Sequence, residues 1–86
     1  VSYRISIRKQ ALKELAALSA KESRKVSAAI DALADEPRPT GCKKLKGEHH
    51  FIWRVRVGHY RILYRIEDDI KVVEVGKIGH RKNIYD

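Results

Sequence analysis

The run WRVRVGHYRILYR, Trp53 to Arg65, is two alternating segments joined by the dipeptide Gly58-His59. Successive side chains of a strand point to opposite faces, so each segment reads as a two-faced strand. A two-residue connection with glycine first suits a type II′ hairpin turn. Such a turn fixes the register: Val57 faces Tyr60, Arg56 faces Arg61, Val55 faces Ile62, Arg54 faces Leu63 and Trp53 faces Tyr64. One face of the hairpin then carries Phe51, Trp53, Val55, Val57, Tyr60, Ile62, Tyr64 and Ile66. The other carries Ile52, Arg54, Arg56, Arg61, Leu63 and Arg65. The chain must therefore cover one side of a small sheet and leave the other exposed and cationic.

The cover comes from the N-terminal half. Tyr3, Ile5 and Ile7 alternate with polar residues, predicting a half-buried strand. Leu12, Leu15 and Leu18 recur at helical spacing and predict a short first helix. Ser19-Ala20-Lys21-Glu22 fits a capping box opening a second helix, with Val26, Ala29, Ile30 and Leu33 on its buried stripe. Pro37 stops that helix, and the pair should form an antiparallel hairpin. From Glu36 to His50 there is no sustained periodicity, which predicts a loop pinned by Leu45. Strands are expected over Phe51–Val57, Tyr60–Ile66 and Ile70–Ile78, with Glu67-Asp68-Asp69 as the second turn. The fold class is α+β. A single domain over residues 1–86 holds an N-terminal strand, a two-helix hairpin and three antiparallel strands, forming one sheet with helices on one face.

Eighty-six residues can bury only a modest core and offer little material for a deep pocket. The hydrophobic share of 43% suits a folded globule. One cysteine, Cys42, permits no internal disulfide and fits a reducing cytoplasm. No apolar run approaches a membrane span, the start of the sequence shows no secretion-signal core, and no membrane association is expected. Cys42, His49, His50 and His59 match no metal-ligand spacing, so no metal or other cofactor is expected.

The net charge of +8 implies anionic partners. Between Gly41 and Arg65, Lys43, Lys44, Lys46, Arg54, Arg56, Arg61 and Arg65 stand against Glu48 alone, a balance of +6. A merely solubilising surface would intersperse both signs. Arg56 facing Arg61 costs stability, roughly a few tenths to 1 kcal/mol, and local conflicts of this kind mark functional sites. Arginine forks suit phosphate, so the open face reads as a phosphodiester cradle. A second turn as tight as the first would set Gly76 beside Arg61, leaving room for a ligand backbone. Glu74 would then share that face and hold Arg61 or Arg54.

The β-α-α-β-β-β order, LKG at Leu45–Gly47, WRVRVGHYRILY and the closing GHRKNIY together resemble the RelE/ParE superfamily of toxins over nearly the whole chain. The resemblance implies one of two activities. RelE-type members are ribosome-dependent mRNA endonucleases held inactive by a cognate antitoxin. ParE-type members share the fold and poison DNA gyrase. The basic residues, late arginine and C-terminal tyrosine that act in RelE-type toxins match Arg54, Arg56, Arg61, Arg81 and Tyr85. The prototype branch has lysines where this chain has Arg54 and Arg56, and a guanidinium does not surrender its proton.

The implied chemistry is attack of a ribose 2′-hydroxyl on the adjacent phosphate, giving a 2′,3′-cyclic phosphate and a 5′-hydroxyl without a metal. Arg61 and Arg81 are assigned to the phosphate. Arg54 and Arg56, with Lys43, Lys44 and Lys46, hold the RNA backbone. Tyr85 is the candidate base, since surrounding cations favour its phenolate. His80 is a possible proton carrier, its plainer reading a hydrogen-bonding turn residue. Expected partners are a cognate acidic antitoxin and a ribosome with mRNA in its decoding site. The competing readings are a gyrase-directed ParE-like toxin and a plain RNA-binding module.

Overall fold

A computed structural model describes residues 2–46 and 51–80. In chain order they form β1 (Arg4–Ile7), α1 (Lys9–Ala16), α2 (Ala20–Ala32), β2 (Lys43–Lys44), β3 (Trp53–Val57), β4 (Tyr60–Glu67) and β5 (Val72–His80). The five strands make one sheet in the order β1-β5-β4-β3-β2. β1 lies parallel to β5, and the other neighbours are antiparallel. The expected α+β class holds, with one strand more than the sequence suggested. The loop contains β2, a two-residue strand held to β3 through Lys43 and Lys44. Leu45 is the expected pin, its N–H donating to the Ile52 carbonyl at 2.6 Å.

Both helices bury their apolar stripes on one side of the sheet. Ala11, Val26, Ile30 and Leu33 close over Ile62, Tyr64, Val73, Val75 and Ile78, with Trp53, Val55, Val57, Tyr60 and Ile66 packed around them. On α1 the stripe starts at Ala11, which is fully buried, and Leu12 is half exposed. The expected 12-15-18 stripe is thus 11-15-18, the i, i+4, i+7 spacing that a helix beginning at Lys9 turns inward. At the head of α2 the Ser19 hydroxyl accepts the Glu22 N–H at 3.2 Å, as the capping box requires. The helix ends four residues short of Pro37, whose carbonyl accepts the buried Tyr64 hydroxyl at 2.7 Å. No helix among the described residues is long and apolar enough to cross a membrane.

The β3–β4 register is the one expected, pair for pair, from Trp53–Tyr64 to Val57–Tyr60. Gly58 has φ +60 and His59 is not among the residues with positive φ, the signature of type II′. The β4–β5 register is not the expected one. Its turn runs from Asp68 to Lys71, with Glu67 paired to Val72 and Lys71 at φ 54. Ile70, expected in the strand, lies in this turn and is 66% exposed. A bulge then leaves Gly76 without a partner, since Tyr64 pairs Val75 and Leu63 pairs Lys77. Strict alternation from Val73 and Val75 would turn Lys77 inward. One extra residue puts Ile78 into the core and keeps the lysine outside.

Beyond Ile7, β5 has lost its parallel neighbour. There the Glu14 carboxylate of α1 accepts the Ile78 N–H at 2.9 Å, tying helix to sheet. A second tie joins three segments at the opposite end of the strand. The Asp68 carboxylate accepts from Tyr3 at 2.7 Å and from Arg38 at 2.9 Å. Arg38 also lies 5.1 Å from the Trp53 ring centroid, and Lys71 5.2 Å from that of Tyr3. The Arg38 and Tyr3 hydrogen bonds hold the Asp68 carboxyl at about 2.

Candidate functional site

The face turned away from the helices can be written as rows of cross-strand neighbours. One row is Lys43, Arg54, Leu63 and Lys77; the next is Arg56, Arg61 and Gly79. Directly opposed residues carry their Cβ atoms about 4.5–5.5 Å apart, so Lys43, Arg54, Arg56 and Arg61 form one compact cationic patch. Arg56 does face Arg61, the like-charge pair read from the turn. A third row holds Ser6, Glu74 and Arg65, where Arg65 Nε meets Glu74 Oε1 at 2.6 Å and Arg65 Nη1 meets Glu67 Oε1 at 3.5 Å. Glu74 therefore holds Arg65, not Arg61 or Arg54 as expected. The four-residue turn moves its pairing away, since the bulge lies beyond Glu74.

The same shift decides which glycine flanks Arg61. Gly79 occupies that position, and Gly76 sits at the bulge. The space above Gly76 is filled: a Cβ there would strike the ring of Phe51. Phe51 was expected in the core, yet it is not packed against the core cluster, and Arg8 lies 5.6 Å from its ring centroid. Its ring reaches from the head of β3 past β4 to β5 on the arginine side. Leu63 and Arg54, both turned from the helices, are only 8% and 5% exposed. The face is thus exposed at Arg56, half-buried at Arg61, and closed over by the Phe51 ring at Gly76, where the sequence reading left it bare.

Burial separates the two β3 arginines. Arg56 is exposed; Arg54 is sunk in the face, and its Nε makes no hydrogen bond. Desolvating a guanidinium is costly unless its donors are met. Arg54 lines a cleft of about 310 Å³ with Thr40, Gly41, Lys43, Val55 and Arg56. Among the described residues lining it, every ionisable side chain is a cation. The remaining lysines divide. Lys44 pairs with Trp53, which places it on the opposite side from the arginines, contrary to its expected phosphate role. Strand alternation separates neighbours that composition groups together. Lys46 is exposed, two residues past the end of β2. Lys77 joins the patch unexpectedly; the signal for it was the break in the apolar alternation of VVEVGKI at Gly76.

His80 pairs with Tyr60, its ring edge-on at 5.8 Å, and stacks on His59 at 6.0 Å. Because Tyr60 packs against the core, this histidine cluster belongs to the helix-covered side. A proton carrier at Arg61 would have to act through the sheet from this position, and His80 ends β5 rather than sitting in the turn that its plainer reading assumed. Arg81 and Tyr85 lie outside the described residues. Chemically, the patch can neutralise and orient phosphoryl oxygens through fixed forks.

Comparison with known proteins gives a consistent picture. A family described as the ParE toxin of the type II toxin-antitoxin system, parDE, matches residues 5–85. RelE1 of Methanocaldococcus jannaschii is 30% identical over 88 residues, covering 99% of this chain and 97% of that protein. Among solved structures, the archaeal RelE–RelB complex from Pyrococcus horikoshii OT3 contains a chain with TM-score 0.82 and 31% identity, covering 96% of this chain and 99% of that one. A chain of the toxin–antitoxin complex RelBE2 from Mycobacterium tuberculosis has TM-score 0.82 and 30% identity, with 94% and 100% covered.

Proposed function

Since the chain belongs to the RelE/ParE superfamily of type II toxins, and is of RelE type, we propose that it cleaves mRNA on the ribosome by 2′-hydroxyl attack. The observation that carries this reading is the opposed pair Arg56–Arg61 beside Arg54 on the face turned away from α1 and α2. In this reading Arg61 and Arg81 hold the phosphoryl oxygens as charge develops on them. Arg54, Arg56 and Lys43 keep the RNA backbone in register, and Tyr85 takes the 2′-hydroxyl proton. No cofactor enters the step: the 2′-oxygen bonds to phosphorus as the bond to the 5′-oxygen breaks, and solvent protonates the leaving 5′-oxygen.

A shallow face on an 86-residue chain is poorly placed to align a flexible RNA unaided. Bringing the 2′-oxygen in line with the leaving oxygen is an orientation problem, which mRNA already stretched in a ribosomal decoding site would solve. The solved relatives are RelE–RelB and RelBE2 complexes, which supports an antitoxin as the regulatory partner. An acidic one suits the cationic face. Toeprinting of an mRNA on ribosomes should show a cut with the natural chain, none with Arg61→Ala, and a strongly reduced one with Tyr85→Phe. Full cutting by Arg61→Ala would end this proposal. A second reading, inhibition of DNA gyrase, draws on the ParE description of the matching family. It requires gyrase inhibition with no RNA product and indifference to Tyr85.

A further inference from the structure

Resting on that reading of Arg61, we propose that Glu14 of α1 is a positioning residue for cleavage. Its carboxylate takes the place of a missing strand and fixes the part of β5 that holds the Arg61 backbone. β1 stops at Ile7, whose partner is Val75, and the Arg8 N–H donates to the Val75 carbonyl at 2.9 Å. From Gly76 to His80, no described strand flanks β5 on that side. A bare strand edge leaves its outward backbone groups without partners and opens easily. Here the Ile78 N–H donates to Glu14 Oε1 at 2.9 Å. Gln10 Nε2, one helical turn back, donates to Glu14 Oε2 at 3.4 Å and steadies the carboxylate.

The alternation of an antiparallel ladder carries this contact to the arginine face. Directly opposed residues exchange hydrogen bonds only at every second position. Ile78 faces Ile62 and turns its N–H outward to Glu14, so the hydrogen-bonded pair beside it is Gly79 with Arg61. The hairpin gives the same phase independently. Its two-residue turn makes Val57–Tyr60 a hydrogen-bonded pair, which turns the Arg61 backbone away from β3 and toward β5. Arg61 is thus held by Gly79, and Gly79 is one residue from the Glu14 contact. Arg81 follows two residues later in sequence. Displacing a charge-stabilising group by about 1 Å costs on the order of 100-fold in rate. Glu14 is the one acidic residue of α1, and it is half-buried although its neighbour Lys13 is exposed. A carboxylate that served only solubility would stand in water as Lys13 does.

Amide hydrogen exchange and time-resolved toeprinting of the full chain test this together. Glu14→Ala should speed exchange at the Ile78 amide by about tenfold, as the loss of a charge-assisted hydrogen bond implies. It should slow cutting at saturating toxin by about 10–100-fold. The toxin concentration giving half the maximal rate should change by less than about twofold, since Glu14 sits on the helix side and meets no RNA. Glu14→Gln keeps an acceptor oxygen at the same reach and should stay within about threefold of the natural chain in both readouts. Asp68→Ala removes the tie at the opposite end of β5 and should leave the maximal rate unchanged, which separates misplacement from a general loss of stability. Equal loss of cutting in Glu14→Ala and Asp68→Ala would make Glu14 a stability residue and overturn the proposal. Natural protection of the Ile78 amide in Glu14→Ala would overturn it as well. A natural chain that makes no cut would sink the nuclease reading and this role with it. Full cutting by Glu14→Ala, beside none by Arg61→Ala, would sink the positioning role alone.

Discussion

Arg54 and Arg56 stand two residues apart on β3 and meet opposite surroundings: one is 5% exposed in a cleft, the other lies open to solvent facing Arg61. The Arg56–Arg61 pair is a conflict that stability alone would remove. Arg56→Thr should therefore raise stability by about 0.2–1 kcal/mol, visible as a higher midpoint in thermal denaturation. The same variant should lose RNA binding. A drop in both would mean that Arg56 serves the fold. Tyr64 is the reverse case, a polar group that the core needs. Burial pushes its phenol well above the usual range, so it stays neutral and donates to Pro37. Tyr64→Phe should cost about 1–2 kcal/mol in urea unfolding by leaving that carbonyl unpaired.

Between elements, two glycines set the geometry. Gly58 at φ +60 lets β3 turn into β4 in two residues, which is why Arg56 faces Arg61 at all. Gly76, at the bulge, yields its side-chain space to the Phe51 ring. Gly76→Val should destabilise the protein by about 1–3 kcal/mol, because the ring must move. If that clash is the cause, Phe51→Ala should recover part of the loss in a double-mutant cycle. Strict additivity of the two would point to the bulge backbone itself. The bulge has a functional side as well: it sends Lys77 to the cationic face and Gly79 to the flank of Arg61.

Across the whole molecule, Asp68 joins the start of β1, the segment after α2 and the β4–β5 turn. Its folded value of about 2 lies below the ordinary 3.8, so the folded chain resists its protonation. The stabilisation is fully present above pH about 4 and is lost as pH falls through about 2. The difference in melting temperature between the natural chain and Asp68→Asn should accordingly shrink toward zero near pH 2. Because the carboxylate is exposed, 1 M salt should shrink it too. A difference that is independent of pH would assign the effect to the amide's packing rather than to charge.

The hairpin at Gly58, the inward and outward faces of β3 and β4, the Ser19 cap and the α2 stripe all follow from the residues themselves. Each rests on contacts between near neighbours, whose geometry a local pattern dictates. The cationic character of one sheet face was legible for the same reason. The β4–β5 register, the switch of Glu74 to Arg65, the seat of Phe51 on Gly76 and the removal of His80 from the Arg61 side were not. They depend on a turn longer by two residues and on one unpaired glycine, small local events that shift every later pair in a strand. Whether a side chain such as Arg54 is sunk or exposed depends further on segments distant in sequence, Thr40–Lys43 above all, which only the assembled sheet brings alongside it.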